Sequence, residues 1–98
     1  MATVPLKVVL LTLHDCHLCE HAREVIARLG RDRSIVVEET AWDSADGQRL
    51  VQRDGIPFAP AVYIDGSFAA YGRISDGALR RWLSKREPRS WLPWRRLP

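Results

Sequence analysis

Hydrophobic and polar positions change period several times along the chain, and each change marks the boundary of a predicted element. Residues Lys7 to Leu13 (KVVLLTL) form a short run of β-branched residues and leucine, typical of a strand buried on both faces of a parallel or mixed sheet. From Leu18 onward the apolar residues recur at helical spacing, and Gly30 is placed to end this helix. The predicted buried stripe of the helix consists of Ala22, Val25, Ile26 and Leu29.

The middle of the chain predicts a second strand followed by a short helix. Residues Ser34 to Glu39 (SIVVEE) have the composition of a strand. Ser44 is placed to cap a helix that stops at Gly55, although Gly47, a poor helix former, lies inside it.

The last third of the chain predicts a β-hairpin and a final helix. The strands Ala61 to Ile64 and Ser67 to Tyr71 are joined by Asp65-Gly66, a pair that supplies the positive backbone angles of a type I′ turn. Ser75 is placed to cap a helix that runs to about Arg86. The predicted buried stripe of this helix consists of Leu79, Trp82 and Leu83.

The predicted element order is therefore β-α-β-α-β-β-α, which belongs to the α/β class. Parallel strands require right-handed helical crossovers, and the final hairpin adds antiparallel strands. We expect one four-stranded mixed sheet with helices on both faces.

Composition agrees with one folded domain. The chain has 98 residues, of which 46% are hydrophobic and 28% charged, values that fit an ordinary globular protein with a single modest core. Its apolar runs are shorter than the ~18 residues that span a membrane, and its first residues lack the pattern of a secretory signal. We therefore expect a cytosolic (cytoplasmic) protein.

Charge is distributed unevenly along the chain. Residues 1–79 have 8 basic and 11 acidic side chains, a net charge of −3, whereas residues 80–98 have 7 basic and 1 acidic, a net charge of +6. The body of the protein has no basic stripe, so we do not expect it to bind nucleic acid.

The C-terminal segment, residues 87–98 (EPRSWLPWRRLP), predicts an extended tail that follows a folded domain at residues 1–86. Such a tail either stays without fixed structure or docks on the body, on a partner or on an anionic membrane surface. The sequence does not choose among these outcomes, although membrane contact is not the one we expect.

Candidate chemistry is concentrated in residues 14–21 (HDCHLCEH), which contain three histidines and both cysteines. A Cys-x-x-Cys pair cannot tie distant loops together, and structural disulfides are rare in the cytosol, so the pattern indicates redox or metal chemistry. The pair lies where the first helix begins, and there the unpaired backbone N–H groups and the helix dipole favour a thiolate at Cys16. Cys19 is near enough to attack a mixed disulfide at Cys16, which completes a dithiol mechanism.

A second candidate feature is Pro60, in FAPAVYIDG, which immediately precedes the third predicted strand. A cis Ala59–Pro60 bond across from the start of the first helix would bend the chain beside the cysteines. It would also leave the backbone polar groups of Ala59 free to pair with an extended substrate. The alternative is a trans proline that starts the strand.

Together these features resemble the glutaredoxin branch of the thioredoxin-like superfamily. The resemblance covers about residues 6–86 and rests on Cys-x-x-Cys directly after the first strand, on the element order, and on proline followed by AVYIDG. It implies a thioredoxin-like fold and an oxidoreductase that reduces disulfides of proteins or small molecules, and we predict no cofactor. By this resemblance Cys16 is the nucleophile, Cys19 the resolving thiol and Pro60, rather than Pro57, the cis-proline.

The residues between the cysteines depart from this family. Glutaredoxins usually have proline and an aromatic residue there, whereas this chain has His17 and Leu18. A protonated imidazole next to Cys16 stabilises the thiolate and makes the disulfide more oxidising, so His17 is included in the candidate site. The alternative for His17 is a side chain that is merely exposed to solvent.

The residues that bind glutathione in the family are also changed. Glutathione-using glutaredoxins have a Gly-Gly pair before the last helix and a lysine three residues before the nucleophile, and this chain has Tyr71-Gly72-Arg73 and Leu13 at those positions. The stretch is more similar to that of the glutaredoxin-like electron donors of ribonucleotide reductase. Those electron donors are themselves reduced by thioredoxin reductase. Arg73 is suited to bind a carboxylate of glutathione or of another low-molecular-weight thiol. We expect a thioredoxin-reductase-like flavoprotein or a different low-molecular-weight thiol as the reductant.

Non-catalytic interpretations remain open at this point. His14, Cys16, Cys19 and His21 form a plausible zinc ligand set, but the segment begins an amphipathic helix rather than a tight knuckle. An iron–sulfur cluster shared by two subunits is a further possibility, although one chain lacks the four cysteines that a cluster usually needs. A protein-interaction module on the same fold, with the tail as its interacting segment, is the last alternative.

Overall fold

The computed structural model describes residues 5–31 and 34–86 of the chain. The predicted tail, residues 87–98, lies outside the described residues. Within them the order of elements is β-α-β-α-β-β-α, as predicted. The elements are β1 (Leu6–Thr12), α1 (His17–Gly30), β2 (Ile35–Ala41), α2 (Ala45–Asp54), β3 (Ala61–Ile64), β4 (Ser67–Tyr71) and α3 (Asp76–Arg86). In this part of the chain no helix is both long enough and apolar enough to cross a membrane.

The four strands form one mixed sheet in the order β2-β1-β3-β4. β1 pairs in parallel with β2, and its other edge pairs antiparallel with β3. β3 then pairs antiparallel with β4, as expected for a hairpin. The predicted four-stranded mixed sheet is confirmed.

Helices cover both faces of this sheet, and each face has its own core. On one face, α1 and α3 pack against alternate residues of the two central strands: Leu6, Val8 and Leu10 of β1, and Val62 and Ile64 of β3. On the other face, α2 packs near the remaining residues: Leu11, Ala61 and Tyr63, together with Ile56. Because successive side chains of a strand point to opposite faces, the two central strands supply both cores.

Local capping and turn chemistry follow the sequence closely. The Ser44 hydroxyl accepts a hydrogen bond from the Gly47 N–H at 3.0 Å, and α2 ends at Gly55 in the left-handed conformation, with φ 63°. The Ser75 hydroxyl caps α3 by accepting from the Ala78 N–H at 3.1 Å. Both predicted serine caps are confirmed.

The predicted turn between β3 and β4 is confirmed, whereas the end of α1 is capped in a way that was not predicted. Asp65 and Gly66 have φ values of 50° and 84°, which confirms the predicted positive angles. α1 does end at Gly30, but its cap is Arg31 in the right-handed conformation, so glycine does not terminate it by a left-handed turn. The Arg31 N–H instead bonds the Arg28 and Leu29 carbonyls.

One burial prediction needs correction, and β2 is largely exposed. In α3, Leu79 and Leu83 are buried but Trp82 is only half-buried. β2 is an edge strand, and its Val36 and Val37 are 53% and 47% exposed. Strand-like composition therefore predicted the existence of β2 but not how little of it is covered.

Ion pairs fix α1, the helix that begins at the cysteines, to its neighbours. Arg23 pairs with Glu39 of β2 at 2.7 Å, and Arg28 pairs with Asp76 of α3 at 2.8 Å. The hydrogen bond from Arg28 lowers the pKa of the Asp76 carboxyl below its ordinary value. These contacts hold the first helix against both the sheet and the last helix.

Candidate active site

Cys16 and Cys19 are joined by a disulfide, and their Cα atoms are 5.1 Å apart, within the usual range for such a bond. The chain leaves β1 and makes a turn in which Asp15 has φ 52°. Cys16 then takes an extended conformation as the N-cap of α1, with φ −115° and ψ 107°. The pair therefore lies at the predicted position, between the first strand and the first helix.

The helix start gives the two sulfurs different environments. The Cys16 sulfur accepts a hydrogen bond from the Cys19 N–H at 3.1 Å and so takes the place of a capping oxygen. Cys16 is partly exposed, whereas Cys19 is fully buried. An incoming molecule can thus contact Cys16, whereas Cys19 is covered by the protein.

The His17 side chain faces solvent. Its side chain is 99% exposed, and its Nδ1 atom lies 3.9 Å from Oε1 of Glu20 on the next turn of the helix. This placement agrees with the alternative of a solvent-exposed residue, because salt and water screen a charge at such a position. A role for His17 in the chemistry stays a prediction.

The Ala59–Pro60 peptide bond is cis, as the sequence analysis anticipated. Both residues are buried, and the Pro60 carbonyl accepts a hydrogen bond from the Gly72 N–H at 2.7 Å. Within residues 5–31 and 34–86, the backbone N–H and C=O of Ala59 have no backbone hydrogen-bond partner. Ala59 itself is only 6% exposed.

The register places the segments that carry these residues at one end of the sheet. Leu11, near the end of β1, lies opposite Ala61 at the start of β3, and Ala61 lies opposite Tyr71 at the end of β4. The loop that carries Cys16 follows β1, Pro60 precedes β3, and Arg73 follows β4. Arg73 is exposed and has no ion-pair partner in the part of the chain that the structure describes.

A contact between two aromatic residues at this end was not predicted from the sequence. The rings of Phe58 and Tyr71 meet edge to face, with centroids 5.2 Å apart and planes at 84°. They are 52% and 44% exposed. Phe58 follows Pro57 and Tyr71 precedes Gly72. The two aromatic residues are far apart along the chain, so the sequence gives no indication that their rings touch.

The described residues contain no group of three or more His, Cys, Asp or Glu side chains that is arranged to hold a metal ion. A groove of about 550 Å³ lies on the α2 face of the sheet, between α2 and β2. None of the candidate site residues lines this groove.

Comparison with known proteins gives matches in structure only. No protein-family model and no curated protein sequence matches the chain. A mutant thioredoxin from Halobacterium salinarum aligns over 85% of this chain and 75% of its own, with 16% identity and a TM-score of 0.64. Glutaredoxin 1 from Francisella tularensis, solved with cacodylate, aligns over 82% of this chain and 94% of its own, with 18% identity and a TM-score of 0.55.

A third similar structure is thioredoxin-2, described as a component of the malaria parasite protein secretion machinery. It aligns over 84% of both chains, with 14% identity and a TM-score of 0.61. At these identities the similarity concerns the fold. The chain has the thioredoxin-like fold, which confirms the predicted fold class.

Proposed function

We propose that the protein is a glutaredoxin-like thiol–disulfide oxidoreductase whose Cys16–Cys19 pair reduces disulfides. The observation that carries the proposal is the arrangement of the pair at the start of α1, with a reachable Cys16 and a buried Cys19 bonded to each other. Fold alone does not determine function, since one fold hosts many activities. The site therefore carries the argument.

The proposed reaction takes place in two exchanges. The Cys16 thiolate attacks one sulfur of the substrate disulfide, forms a mixed disulfide and releases one substrate thiolate, which takes up a proton. Cys19 then loses its proton and attacks the Cys16 sulfur, which forms the Cys16–Cys19 disulfide and releases the second substrate thiolate. Two electrons pass from the protein to the substrate, and no cofactor takes part.

The helix start supports this assignment of roles. The Cys19 N–H that bonds the Cys16 sulfur at 3.1 Å is one of the unpaired donors of the first turn, and such donors stabilise a thiolate. Cys19 is fully buried, so an intermolecular disulfide reaches it less readily than it reaches Cys16. The first attack accordingly belongs to Cys16.

In the proposal, Ala59 positions the substrate. Its free backbone N–H and C=O pair with an extended substrate segment in the manner of an added strand. The substrates that suit this contact are protein disulfides, because only a peptide offers matching backbone groups. The exposed Arg73 guanidinium at the same end is available to a carboxylate of the substrate or of a reducing thiol.

The proposed reductant is a thioredoxin-reductase-like flavoprotein or a low-molecular-weight thiol other than glutathione, and the proposed location is the reducing cytosol. The support is the sequence Tyr71-Gly72-Arg73, where a glutathione site would need a second small residue, and Leu13 in place of a lysine. Tyr71 is half exposed and in contact with Phe58. Two aromatic rings therefore occupy the surface that small residues leave open in a glutathione site.

We expect NADPH consumption to be faster with thioredoxin reductase than with glutathione and glutathione reductase. The two coupled assays use the same disulfide substrate and matched protein concentrations. A Leu13→Lys variant serves as the control, since restoring the cation should raise the glutathione-dependent rate. Efficient turnover of the wild-type protein with glutathione alone would overturn this part of the proposal.

Replacing His17 by alanine is expected to move the alkylation profile of Cys16 toward higher pH by a small but measurable amount. The change is small because interactions between exposed charges are worth about 0.2–1 kcal/mol. The rate of reaction with iodoacetamide is measured against pH. His21→Ala, which removes an imidazole beyond the pair, is the matched control, and an unchanged profile for His17→Ala removes His17 from the mechanism.

The metal-binding interpretations are separated from the enzyme by one assay on purified protein. After reduction, thiol titration is expected to find two reactive thiols per chain, and metal analysis is expected to find no stoichiometric zinc or iron. Bound metal with protected thiols would instead favour a zinc or iron–sulfur site.

A further inference from the structure

The end of the sheet that carries the disulfide also carries an exposed apolar surface. Phe58, Tyr71 and Leu13 are 52%, 44% and 42% exposed, among the largest exposed fractions of apolar side chains in the described part of the chain. Phe58 and Tyr71 touch edge to face and present their remaining surface together. We refer to Phe58 and Tyr71 as the aromatic platform.

The backbone keeps the platform in place. Phe58 lies two residues before Pro60, whose carbonyl is bonded to the Gly72 N–H, and Gly72 directly follows Tyr71. Gly72 has φ 80°, and a Cβ atom there would lie 3.2 Å from Cε1 of Phe58. Glycine thus provides both the left-handed backbone and the room that the Phe58 ring occupies.

The sheet gives the separation of the strand ends next to which the disulfide and the platform lie. Neighbouring strands lie about 4.8 Å apart, and β1, β3 and β4 are consecutive neighbours, so the end of β4 lies about 10 Å from the end of β1. An extended peptide advances about 3.3 Å per residue. Cys16 lies in the loop that follows β1, so an extended peptide that runs from Cys16 across this end of the sheet covers the roughly 10 Å to Tyr71 in about three residues.

The aromatic platform favours an apolar side chain at the substrate position that contacts it. The two rings offer apolar faces and edges, and covering them with an apolar side chain removes water from both partners. A polar side chain that covers the ring faces loses hydration and gains no hydrogen-bond partner from them. A small dithiol or disulfide is too short to reach from Cys16 to the platform.

We propose that the aromatic platform of Phe58 and Tyr71 determines substrate specificity, by binding an apolar side chain of a polypeptide about three residues from the attacked half-cystine. The proposal rests on the proposed disulfide reduction and narrows its substrates to peptide disulfides with an apolar flank. The occupant is a substrate segment, since it must bring a sulfur to Cys16 at the same time.

Two disulfide-linked peptides that differ only at this position test the proposal, one with leucine and one with alanine, which is too small to cover the rings and leaves Arg73 without a new partner. For the wild-type protein, kcat/KM is expected to be about tenfold higher for the leucine peptide, the factor that burial of one apolar side chain commonly gives. In Phe58→Ala and in Tyr71→Ala this ratio is expected to fall to about twofold or less. The ratio compares two substrates of one variant, so a general loss of activity does not affect it.

Phe68→Ala is the matched control, because Phe68 is also a partly exposed aromatic residue of the hairpin but lies at the far end of β4. Its peptide ratio is expected to equal that of the wild-type protein. Equal kcat/KM for the two peptides with the wild-type protein would show that the platform does not determine specificity. The proposed disulfide reduction would be unaffected by this result. Failure to reduce either peptide or a small aliphatic disulfide overturns the proposed function itself. If Phe58→Ala does not fold, the ratio for Tyr71→Ala decides alone.

Discussion

Replacing Cys16 by serine is expected to lower the rate of disulfide reduction by at least about a thousandfold, to background. A serine hydroxyl is not ionised near neutral pH and does not attack sulfur, so the first exchange is lost. The measurement is turnover of a peptide disulfide with a chemical reductant in excess. A Cys16→Ser variant with more than a few per cent of wild-type activity would contradict the assignment of Cys16 as nucleophile.

Cys19→Ser is the matched variant, since it makes the same atomic change three residues away. It leaves the first exchange possible and removes the internal attack that resolves it, so a mixed disulfide between Cys16 and the substrate should accumulate. Mass spectrometry of the unreduced protein detects the added substrate thiol. Equal loss of activity in both variants with no trapped species would count against these separate roles.

Replacing Gly47 by alanine is expected to lower the free energy of unfolding by about 1–3 kcal/mol, the usual cost of forcing extra atoms into a packed site. Gly47 lies inside α2 and is buried. A Cβ atom there would press on the Ala41 carbonyl oxygen and lie 2.8 Å from the Trp42 carbonyl oxygen. Both obstacles are backbone atoms, so neither can rotate away as a flexible side chain would.

The sign of this effect opposes the intrinsic preference of helices, in which alanine is favoured over glycine by about 1 kcal/mol. Gly30→Ala is the matched control, because Gly30 is the last residue of α1 and has no atom within 4 Å of an added Cβ. Urea unfolding should show Gly30→Ala as stable as the wild-type protein or up to about 1 kcal/mol more stable. A Gly47→Ala variant of undiminished stability would mean that α2 does not pack closely against the preceding turn.

Gly47 also shows where prediction from sequence succeeds and where it stops. The caps at Ser44 and Ser75 and the Asp65-Gly66 turn were predictable because each depends on bonds or angles within a few residues. The position of Gly47 in a helix looked unfavourable from sequence, since the reason for it is contact with the backbone of Ala41 and Trp42. That contact depends on how the chain folds back after β2.

The candidate site likewise contains some features that were predictable from the sequence and others that were not. The cysteine pair and the cis Ala59–Pro60 bond were predictable because their spacing to strands and turns is itself a sequence pattern. The contact of Phe58 with Tyr71 was not, because it arises from the pairing of β3 with β4 and from the bend before β3. Exposure is likewise a tertiary property, so the sequence could name His17 as a candidate without showing that its ring faces solvent.

A single-turnover experiment tests whether Cys16 and Cys19 pass two electrons to a disulfide. Fully reduced protein is mixed with one equivalent of a peptide disulfide, quenched with acid and examined by mass spectrometry after digestion. We expect the peptide to be recovered as two thiols while the protein loses two hydrogen atoms, and the new bond to join Cys16 to Cys19. Recovery of the peptide disulfide intact, with both protein thiols still reduced, would contradict it.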